Sequence, residues 1–485
     1  MPEPIADDIA AQAARRPDAP ALLWQGRAIS YAEFDTLTRD VATWLAELDF
    51  DRNRPVALRA VKSPTALAVI LACLRAGRAI LLASPDLGRE MQAALVVRAG
   101  CQAVLSVRGP GQVEGRPAVT ATGPAPPLPA GTRLLLTTSG STGIPKIVPL
   151  GAEALDRFTA WAGAEFALGP GARVLNYAPL NFDLCLLDVW ATLRHGGCTV
   201  LVDPDRAVDP RHLARLVHET GPHVVQGVPM LFRLLAEAAG PDACFPGVRD
   251  ILLTGDHTPI PLRAKLPRLF PHARFHNVYG CTETNDSMVH TFTGEEAVAP
   301  GTLPLGTPPP GVMVRIAAQA GDLDGPGAGE LIVSTPFQTS GYLGDDRPSV
   351  KFSTSGGRTW FHTGDLVTRD FDGRITLVGR NDFQVKVRGV RVNIEEIEQV
   401  IHSHAEVLDA AVIALPDPAA GTRLHAVVRP GPGLTSLGLR AHCAGRLTRA
   451  AIPAVFQLTD EPLPVGPTGK INRSRLRDEL QKELT

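Results

Sequence analysis

Long apolar runs, basic blocks and a secretion signal are all missing from this chain of 485 residues. No uninterrupted apolar stretch approaches the roughly 20 residues that span a membrane, and the amino terminus lacks the basic and apolar segments of a signal peptide. The formal net charge is −2, which argues against nucleic acid or an anionic membrane as the main partner. We therefore expect a cytoplasmic protein with no membrane or nucleic-acid partner.

Paired cysteines are also missing. The seven cysteines stand at positions 73, 101, 185, 198, 244, 281 and 443, and no two form a CxxC pair. Reduced thiols, mainly in the core, fit this odd and dispersed set better than disulfides or a zinc site.

The length and the hydrophobic pattern predict two domains built from helices and strands. A chain of 485 residues can bury one large core and a smaller one. Alternating segments predict α/β layers, with helices at 64–76 (capped by Ser63) and 92–99 and strands at 79–83 and 103–107. The stretch 108–131 is rich in proline and glycine, which predicts a surface connection.

The pattern changes after Gly379 to that of a small α+β unit. It predicts helices at 394–402 and 437–447 and strands at 407–415 and 424–428. The segment 385–391 alternates apolar and basic residues, which predicts a strand with its basic side chains in solvent.

Hydroxyls and glycines crowd into residues 138–146, TSGSTGIPK, directly after an apolar stretch. Glycines let backbone N–H groups approach an oxyanion, while the hydroxyls donate hydrogen bonds and the lysine adds positive charge. The alternative is a flexible polar turn, but the Pro-Lys ending argues against it. The Walker A spacing is absent, so a different nucleotide chemistry is needed. The predicted phosphate-binding residues are Thr138, Ser139, Gly140, Ser141, Thr142, Gly143 and Lys146.

Further motifs follow this loop in a fixed order: YGCTET at 279–284, GEL at 329–331 with SGY at 340–342, HTGD at 362–365, GRND at 379–382 and PTGK at 467–470. Together they resemble the superfamily of acyl-activating, AMP-forming enzymes, which includes acyl-CoA synthetases, luciferases and the adenylation domains of nonribosomal peptide synthetases. The resemblance covers nearly the whole chain. It implies an α/β fold with a large N-terminal domain of layered β-sheets and helices, residues 1–381, and a small mobile α+β domain, residues 382–485, that turns about a hinge at Asp382.

The resemblance also implies ATP and Mg²⁺ as cofactors and three catalytic residues. Lys470 would reach the junction of the substrate carboxylate and the α-phosphate, where negative charge accumulates in the transition state. Glu283 is similar to the acid that holds Mg²⁺ against the triphosphate oxygens. Thr282 would touch the α-phosphate.

The nucleoside would be held by a second group of residues. Tyr279, with Gly280 after it, resembles the flat ring on which adenine stacks, and Asn277 would read the adenine amino group. Asp365 is similar to the acid that accepts both ribose hydroxyls, and Arg380 would support the ribose or the phosphate.

The segment 181–190, NFDLCLLDVW, is predicted to select the substrate. Asp183 matches the aspartate that pairs with the substrate ammonium in amino-acid adenylation domains, although Cys185 departs from the serine usual there. The alternative for Asp183 is a loop acid bonded to a nearby backbone N–H. The run CTETNDS at 281–287 resembles enzymes that load proline onto a carrier protein. The predicted pocket residues are Leu184, Leu187, Gln226, Val278, Asp286 and Ser287.

Most of these pocket residues favour a small apolar side chain on the substrate. Asp286 is the exception: it could pair with a cationic or hydroxylated substrate, or lie outside the pocket. Proline or another small amino acid is the first expectation.

The acceptor of the activated group is predicted to be a separate molecule. Only 15 residues follow Lys470, and the chain shows no serine-centred carrier motif. A separate phosphopantetheinylated carrier protein is the leading expectation, as for a discrete ligase of nonribosomal peptide or antibiotic biosynthesis. Free coenzyme A is the alternative, and a third possibility is an adenylate-binding protein without turnover. In the resembled family a domain rotation brings the counterpart of residues 385–391 to the active site for the thiol step.

Overall fold

The computed structural model describes residues 3–48, 50–59, 61–118, 126–138, 145–240, 244–318, 321–344, 350–380, 384–417, 421–464, 471 and 473–483. The chain forms two units. The larger contains Met1–Pro85, Val96–Thr137 and Ile147–Asn381, and the smaller contains Asp86–Leu95, Thr138–Lys146 and Asp382–Thr485. A search of the described helices finds none with the length and hydropathy needed to cross a bilayer.

The largest sheet has eight strands, of which the inner ones run parallel and the two at the edges antiparallel. Its inner strands are continuous apolar runs because helices cover both faces of such sheets; Ile251, Leu252 and Leu253, for example, are fully buried. In spatial order the strands are Asn285–Phe292, Arg274–Cys281, Asp250–Thr254, Val224–Gly227, Arg173–Asn176, Cys198–Leu201, Pro20–Trp24 and Arg27–Ser30.

A second sheet has six strands, and two of them lie directly before and after the predicted phosphate loop. Its strands, in spatial order, are Gln112–Pro117, Ala103–Gly109, Val56–Arg59, Ile80–Ala83, Thr132–Thr138 and Lys146–Gly151. The two strands predicted in this region are confirmed. The prediction of a plain surface connection over 108–131 is wrong in part, because Gln112–Pro117 pairs antiparallel with Ala103–Gly109. Gly111, with φ of +68°, allows the tight turn between them.

A third, antiparallel sheet of six strands completes the larger unit. Five strands lie in the order Gly321–Asp322, Met313–Ala318, Gly327–Ser334, Arg358–Arg369 and Phe352–Ser355, and Ile375–Arg380 also pairs with Arg358–Arg369. This last pairing places Asp365 directly opposite Arg380.

Helices fill the connections between the strands. The predicted helix after Ser63 is confirmed as Pro64–Arg75, with the Ser63 side chain accepting a hydrogen bond from the Ala66 N–H and proline at the first turn. Before residue 381, the described α-helices of three turns or more are Pro4–Arg15, Tyr31–Glu47, Pro64–Arg75, Ala152–Glu165 and Pro210–Thr220, with Arg89–Arg98 and Pro229–Ala238 slightly shorter. Short α-helices are Thr192–Arg194, Ile260–Arg263, Leu266–Leu269 and Gly294–Val298; Leu186–Ala191 is a π-helix and Pro204–Arg206 a 3₁₀-helix.

The C-terminal part of the smaller unit has the predicted α+β structure. Its strands are Gln384–Val387, Val390–Asn393, Val407–Asp417, Gly421–Pro430 and Val455–Leu458, and its helices are Ile394–His402, Ser436–Ala444, the 3₁₀-helix Arg449–Ala451 and Arg473–Glu483. The single strand predicted over 385–391 is wrong: the segment forms a hairpin whose turn residues Arg388 and Gly389 have φ of +51° and +81°. The mixed α/β architecture with a large N-terminal and a small C-terminal part is thus confirmed.

All seven cysteines belong to the described residues and carry free thiols. Five of them are buried, Cys281 is half-buried and Cys244 is exposed. This distribution agrees with the expected reduced, mostly internal set.

Candidate active site

The predicted site residues gather where parallel strands of the largest sheet end. The strands Arg173–Asn176, Val224–Gly227, Asp250–Thr254 and Arg274–Cys281 are parallel neighbours, so their carboxyl ends lie at one edge. Asp183 follows the first of these ends, Gln226 lies at the second, and Tyr279 lies at the fourth. Ligands of open α/β sheets bind at this edge, so the fold alone favours a site here.

The segment 279–287 folds as a tight turn between two antiparallel strands. A side chain on Gly280 would place its Cβ 2.3 Å from the backbone oxygen of Asn285, so only glycine fits this position. Asn285 adopts a left-handed conformation with φ of +53°, which asparagine tolerates better than most residues. The Ser287 hydroxyl donates to Thr284 Oγ1 at 2.9 Å and to the Asn285 carbonyl at 3.0 Å. Ser287, a predicted pocket residue, therefore supports the turn from within.

Tyr279, Asp365 and Arg380 meet across two sheets. The Tyr279 hydroxyl donates to Asp365 Oδ2 at 2.5 Å, and the Arg380 guanidinium donates to Asp365 Oδ1. Arg380 also donates to the carbonyl of Thr363 at 2.8 Å. Burial, and next the negative charge of Asp365, raise the pKa of Tyr279 well above its usual value, so the phenol keeps its proton. Three residues predicted to bind the nucleoside are thus in direct contact.

Glu283 is held at the base of the turn. The side chain of Glu283 accepts a hydrogen bond from the Tyr342 hydroxyl at 2.6 Å, and only 1% of the residue is exposed. Thr339 N–H donates to the Glu283 carbonyl at 2.9 Å, so the SGY motif braces the YGCTET motif. Among the described residues, no group of three His, Cys, Asp or Glu side chains could hold a metal ion by itself. A lone carboxylate fits Mg²⁺, which commonly takes one or two carboxylates and completes its shell with phosphate oxygens and water.

Two more predicted nucleotide contacts have recorded surroundings. The Asn277 amide donates to the Pro304 carbonyl at 2.8 Å, so one of its protons already serves the fold. The Thr138 hydroxyl is buried and has no hydrogen-bond partner among the described residues, which suits a donor awaiting an oxyanion. Lys146 begins the strand Lys146–Gly151. The predicted catalytic Thr282 is half-buried in the turn between the strands Arg274–Cys281 and Asn285–Phe292. Seven other predictions lie outside the described residues: Ser139, Gly140, Ser141, Thr142 and Gly143 of the loop, the hinge residue Asp382 and the catalytic Lys470.

Asp183 lies in a turn that leads into the π-helix Leu186–Ala191. The Leu186 N–H donates to the Asp183 carbonyl at 2.8 Å, and the Cys185 N–H donates to the Phe182 carbonyl at 3.2 Å. Asp183 itself is half-buried. π-Helices are rare and occur frequently at functional sites, so this local geometry agrees with a binding role.

Apolar side chains and a second acid accompany Asp183. Leu187 and Val278 are buried, Leu184 is half-buried, and all three belong to the same hydrophobic cluster. Asp286 is half-buried, and burial followed by the charge of Asp183 raises its pKa to about 7. The two carboxylates therefore influence each other, and the protonated form of Asp286 is favoured over that of an ordinary aspartate.

Gln226 and a group of residues that sequence reasoning missed lie behind this segment. Gln226 is 1% exposed, and its amide donates to the Leu184 carbonyl and to Asp188. Asp188 also accepts from Asn176, and Lys62 is buried nearby. The signal available in the sequence was an aspartate inside the apolar run LCLLDVW, because a charge at such a place needs partners.

Two family profiles match the chain. The profile described as AMP-binding enzyme matches residues 9–343, and the profile described as AMP-binding enzyme C-terminal domain matches residues 396–470. The first range contains the motifs up to SGY at 340–342, and the second contains PTGK at 467–470. HTGD at 362–365 and GRND at 379–382 lie between the two ranges.

Known proteins with similar sequences or folds agree with the profiles. Phenyloxazoline synthase MbtB of Mycobacterium sp. (strain MCS) is 31% identical over 97% of this chain. The chain spans only 35% to 42% of the length of the MbtB relatives. D-alanine--D-alanyl carrier protein ligase of Bacillus velezensis (strain DSM 23117 / BGSC 10A6 / LMG 26770 / FZB42) is 27% identical over 98% of this chain and 99% of the ligase.

A solved structure shows the same fold. The adenylation domain AlmE of Vibrio cholerae, in complex with glycyl-adenosine-5'-phosphate, superposes with a TM-score of 0.84 at 20% identity, covering 99% of this chain and 98% of AlmE. The family profiles, the ordered motifs and the fold lead to one assignment: the chain belongs to the family of AMP-binding enzymes.

Proposed function

We propose that this protein activates an amino acid with ATP, releases pyrophosphate, and transfers the aminoacyl group to the phosphopantetheine thiol of a separate carrier protein. The observation that carries the proposal is the half-buried Asp183 at the carboxyl edge of the sheet, with apolar Leu184, Leu187 and Val278 in its cluster. A carboxylate in partly dry surroundings favours an ammonium group and disfavours an acid without one. The D-alanyl carrier protein ligase and the glycyl adenylate bound to AlmE support a small amino acid, with proline as the first candidate.

The first step joins the amino acid to AMP. A substrate carboxylate oxygen attacks the α-phosphorus, the bond from this phosphorus to the bridging oxygen breaks, and pyrophosphate leaves. Thr282 and Lys470 stabilise the charge that develops there. Glu283 would hold Mg²⁺, which would supply positive charge for the pyrophosphate oxygens. The loop from Thr138 to Lys146 binds the phosphates, and the buried Thr138 hydroxyl supports this role.

The nucleoside is positioned by the group around Asp365. The Asp365 carboxylate accepts hydrogen bonds from Tyr279 and Arg380. These two donors orient the carboxylate, and the ribose hydroxyls replace or join them. Tyr279 provides the ring beside adenine, and Asn277 uses its remaining proton or its oxygen for the base.

The second step transfers the aminoacyl group. A thiol loses its proton, its sulfur attacks the acyl carbon, and AMP leaves as the thioester forms. We assign residues 382–485 to a mobile domain that turns about Asp382, removes Lys470 from the cleft and brings the hairpin within residues 385–391 towards it. The reaction is assigned to the cytoplasm, where ATP is made and free thiols such as Cys73 and Cys185 stay reduced.

ATP–pyrophosphate exchange across proteinogenic and common non-proteinogenic amino acids tests the first step. Exchange with one or a few small amino acids, but not with the corresponding acids that lack the amino group, is expected. A thioester assay that offers coenzyme A and phosphopantetheinylated carrier proteins in turn then identifies the acceptor. Exchange only with acids lacking an amino group would contradict the substrate class, and no exchange with any acid would indicate an adenylate-binding protein without turnover.

The pH profile of amino-acid activation should report Asp286. A negative Asp286 supports binding of a cationic ammonium, and its pKa is raised to about 7 by burial and Asp183. As pH falls from about 8 to about 6 the acid gains its proton, so kcat/KM for the amino acid should drop roughly tenfold. Asp188 is a further acid coupled electrostatically to Asp286. The measurement is the initial exchange rate at low amino-acid concentration and saturating ATP.

Asp286→Asn is the matched variant for this profile. It keeps the shape of the side chain and removes the titrating proton, so the drop between pH 8 and pH 6 should disappear. If the variant retains the wild-type slope, Asp286 is not the titrating group.

A further inference from the structure

A buried polar network surrounds Asp188, one turn of chain beyond Asp183. We call Lys62, Asn176, Asp188 and Gln226 the Asp188 network. Asp188 is 0% exposed, and its two carboxylate oxygens have separate donors. Gln226 Nε2 lies 3.0 Å from Oδ1, and Asn176 Nδ2 lies 3.2 Å from Oδ2. The carboxylate is therefore fixed in both position and rotation.

Lys62 anchors the same network to the end of a strand. It is 4% exposed, and its ammonium donates to the carbonyls of Asn176 at 2.9 Å and Tyr177 at 3.0 Å. Burial lowers the pKa of Lys62 to about 8, opposed by the nearby Cys185, Asp188 and Asp203. Burying a lysine and an aspartate costs desolvation free energy, and apolar residues of similar volume often stabilise the fold equally well. Their presence therefore suggests that the geometry they impose serves a function.

The network's amides bond to the backbone and side chain of the Asp183 turn. The Gln226 amide that binds Asp188 also donates to the Leu184 carbonyl at 3.1 Å. The Asn176 amide that binds Asp188 also contacts Cys185 Sγ at 3.3 Å, and this thiol donates to the Pro179 carbonyl at 3.2 Å. The two residues that follow Asp183 are thus tied to Asp188 through shared amides.

We propose that Asp188 is a positioning residue for amino-acid recognition, which acts by holding the turn that presents Asp183 to the substrate ammonium. This inference rests on the proposed function, since it concerns how Asp183 discriminates amino acids. The inference also assigns Gln226, a predicted pocket residue, the role of orienting the turn through its side-chain amide. Asp188 does not touch the substrate in this scheme.

The scheme follows from the steep dependence of charge pairing on geometry. An ammonium and a carboxylate pair best in direct hydrogen-bond contact, and displacement by about 1 Å can reduce activity about a hundredfold. Asp188→Asn keeps the volume of the side chain but turns one acceptor oxygen into an NH₂ group. That group would face the NH₂ group of Gln226 or Asn176, so one of the two hydrogen bonds is lost and the turn is released on that side.

The test compares wild type and Asp188→Asn in ATP–pyrophosphate exchange with the best amino acid. We expect KM for the amino acid to rise about tenfold or more, with KM for ATP and kcat changed by less than about threefold. The preference for the amino acid over its analogue lacking the amino group, measured as a ratio of inhibition constants, should fall by the same factor. A merely structural residue would weaken both ligands equally.

A double variant makes the dependence on Asp183 explicit. If Asp188 acts through Asp183, Asp188→Asn should add less than about twofold to the KM of Asp183→Ala. Additive effects would overturn the proposal. Gln226→Met keeps the side-chain volume and removes both amide contacts, so it should reproduce the loss of preference for the amino group. This variant replaces Asp188→Asn in the test if Asp188→Asn does not fold.

Asp250→Asn is the matched control. Asp250 is also a buried aspartate with two donors, His276 and Arg274, but it lies at the opposite end of a parallel strand of the same sheet. Its variant should change thermal stability without changing the preference for the amino group. If the wild type is active and neither Asp188→Asn nor Gln226→Met changes the preference for the amino group, the positioning role is refuted and the proposed function stands. If the wild type shows no exchange, the proposed function itself is refuted.

Discussion

Lys470→Ala is expected to slow adenylate formation by about 10²–10³-fold and to leave thioester formation from a supplied aminoacyl adenylate nearly unchanged. The proposed lysine charge meets the negative charge that develops between the carboxylate and the α-phosphate, and water cannot replace a fixed donor in a closed site. In the proposed mechanism the second step uses another arrangement of the two domains, in which the lysine has left the cleft. Exchange measures the first step, and single-turnover transfer of synthetic adenylate measures the second.

Lys482→Ala is the control for this variant. Lys482 is an exposed lysine on the helix Arg473–Glu483, close to Lys470 in sequence, and has no assigned role. Both steps should proceed at the wild-type rate. Equal loss of the two steps in Lys470→Ala would show that the residue supports folding or both conformations, and would remove its proposed role.

Asp183→Ala is expected to raise KM for the amino acid by roughly 100-fold or more, because leaving a buried charge unpaired costs about 2 to 5 kcal/mol. In the variant the substrate ammonium enters a partly apolar pocket without its carboxylate. KM for ATP should stay close to the wild-type value, since the proposed nucleotide contacts lie around Tyr279, Glu283 and Asp365. Exchange kinetics with each substrate varied in turn measure both constants.

The analogue lacking the amino group is the internal control for Asp183→Ala. It carries no ammonium, so its inhibition constant should improve or stay unchanged when the carboxylate is removed. Reduced ATP affinity with unchanged amino-acid KM would place Asp183 on the nucleotide side and overturn the assignment.

Local signals in the sequence predicted much of the fold. The helix Ile394–His402 has the predicted bounds, and Pro64–Arg75 starts at the predicted cap, because helix periodicity and capping are properties of neighbouring residues. The strand Gln112–Pro117 was missed since its pairing depends on a turn at Gly111 inside a stretch whose proline and glycine content indicates loop. The hairpin at Arg388 was missed because arginine rarely adopts positive φ.

The candidate site was predictable as a set of motifs but not as a set of contacts. The order of the motifs identified the residues, yet the bond from Tyr279 to Asp365 joins positions 86 residues apart, and that from Tyr342 to Glu283 joins positions 59 apart. Such pairs depend on which strands become neighbours. The Asp188 network was missed for the same reason: Lys62 and Gln226 are remote in sequence, and each alone is an ordinary polar residue.

The π-helix Leu186–Ala191 has a consequence for how substrate preference can change during evolution. A π-turn accommodates one residue more than an α-turn over the same length, so it tolerates the loss of one residue by reverting to the commoner helix. Deleting Val189, for instance, would convert the π-turn into an α-turn, so the side chains on either side of it would keep their directions and those within the turn would be repositioned. Leu187 and Asp188 would then contact different residues, while the turn proposed to bind the nucleotide would keep its sequence. Deletion of one codon could therefore change the preferred substrate and leave the activation chemistry intact.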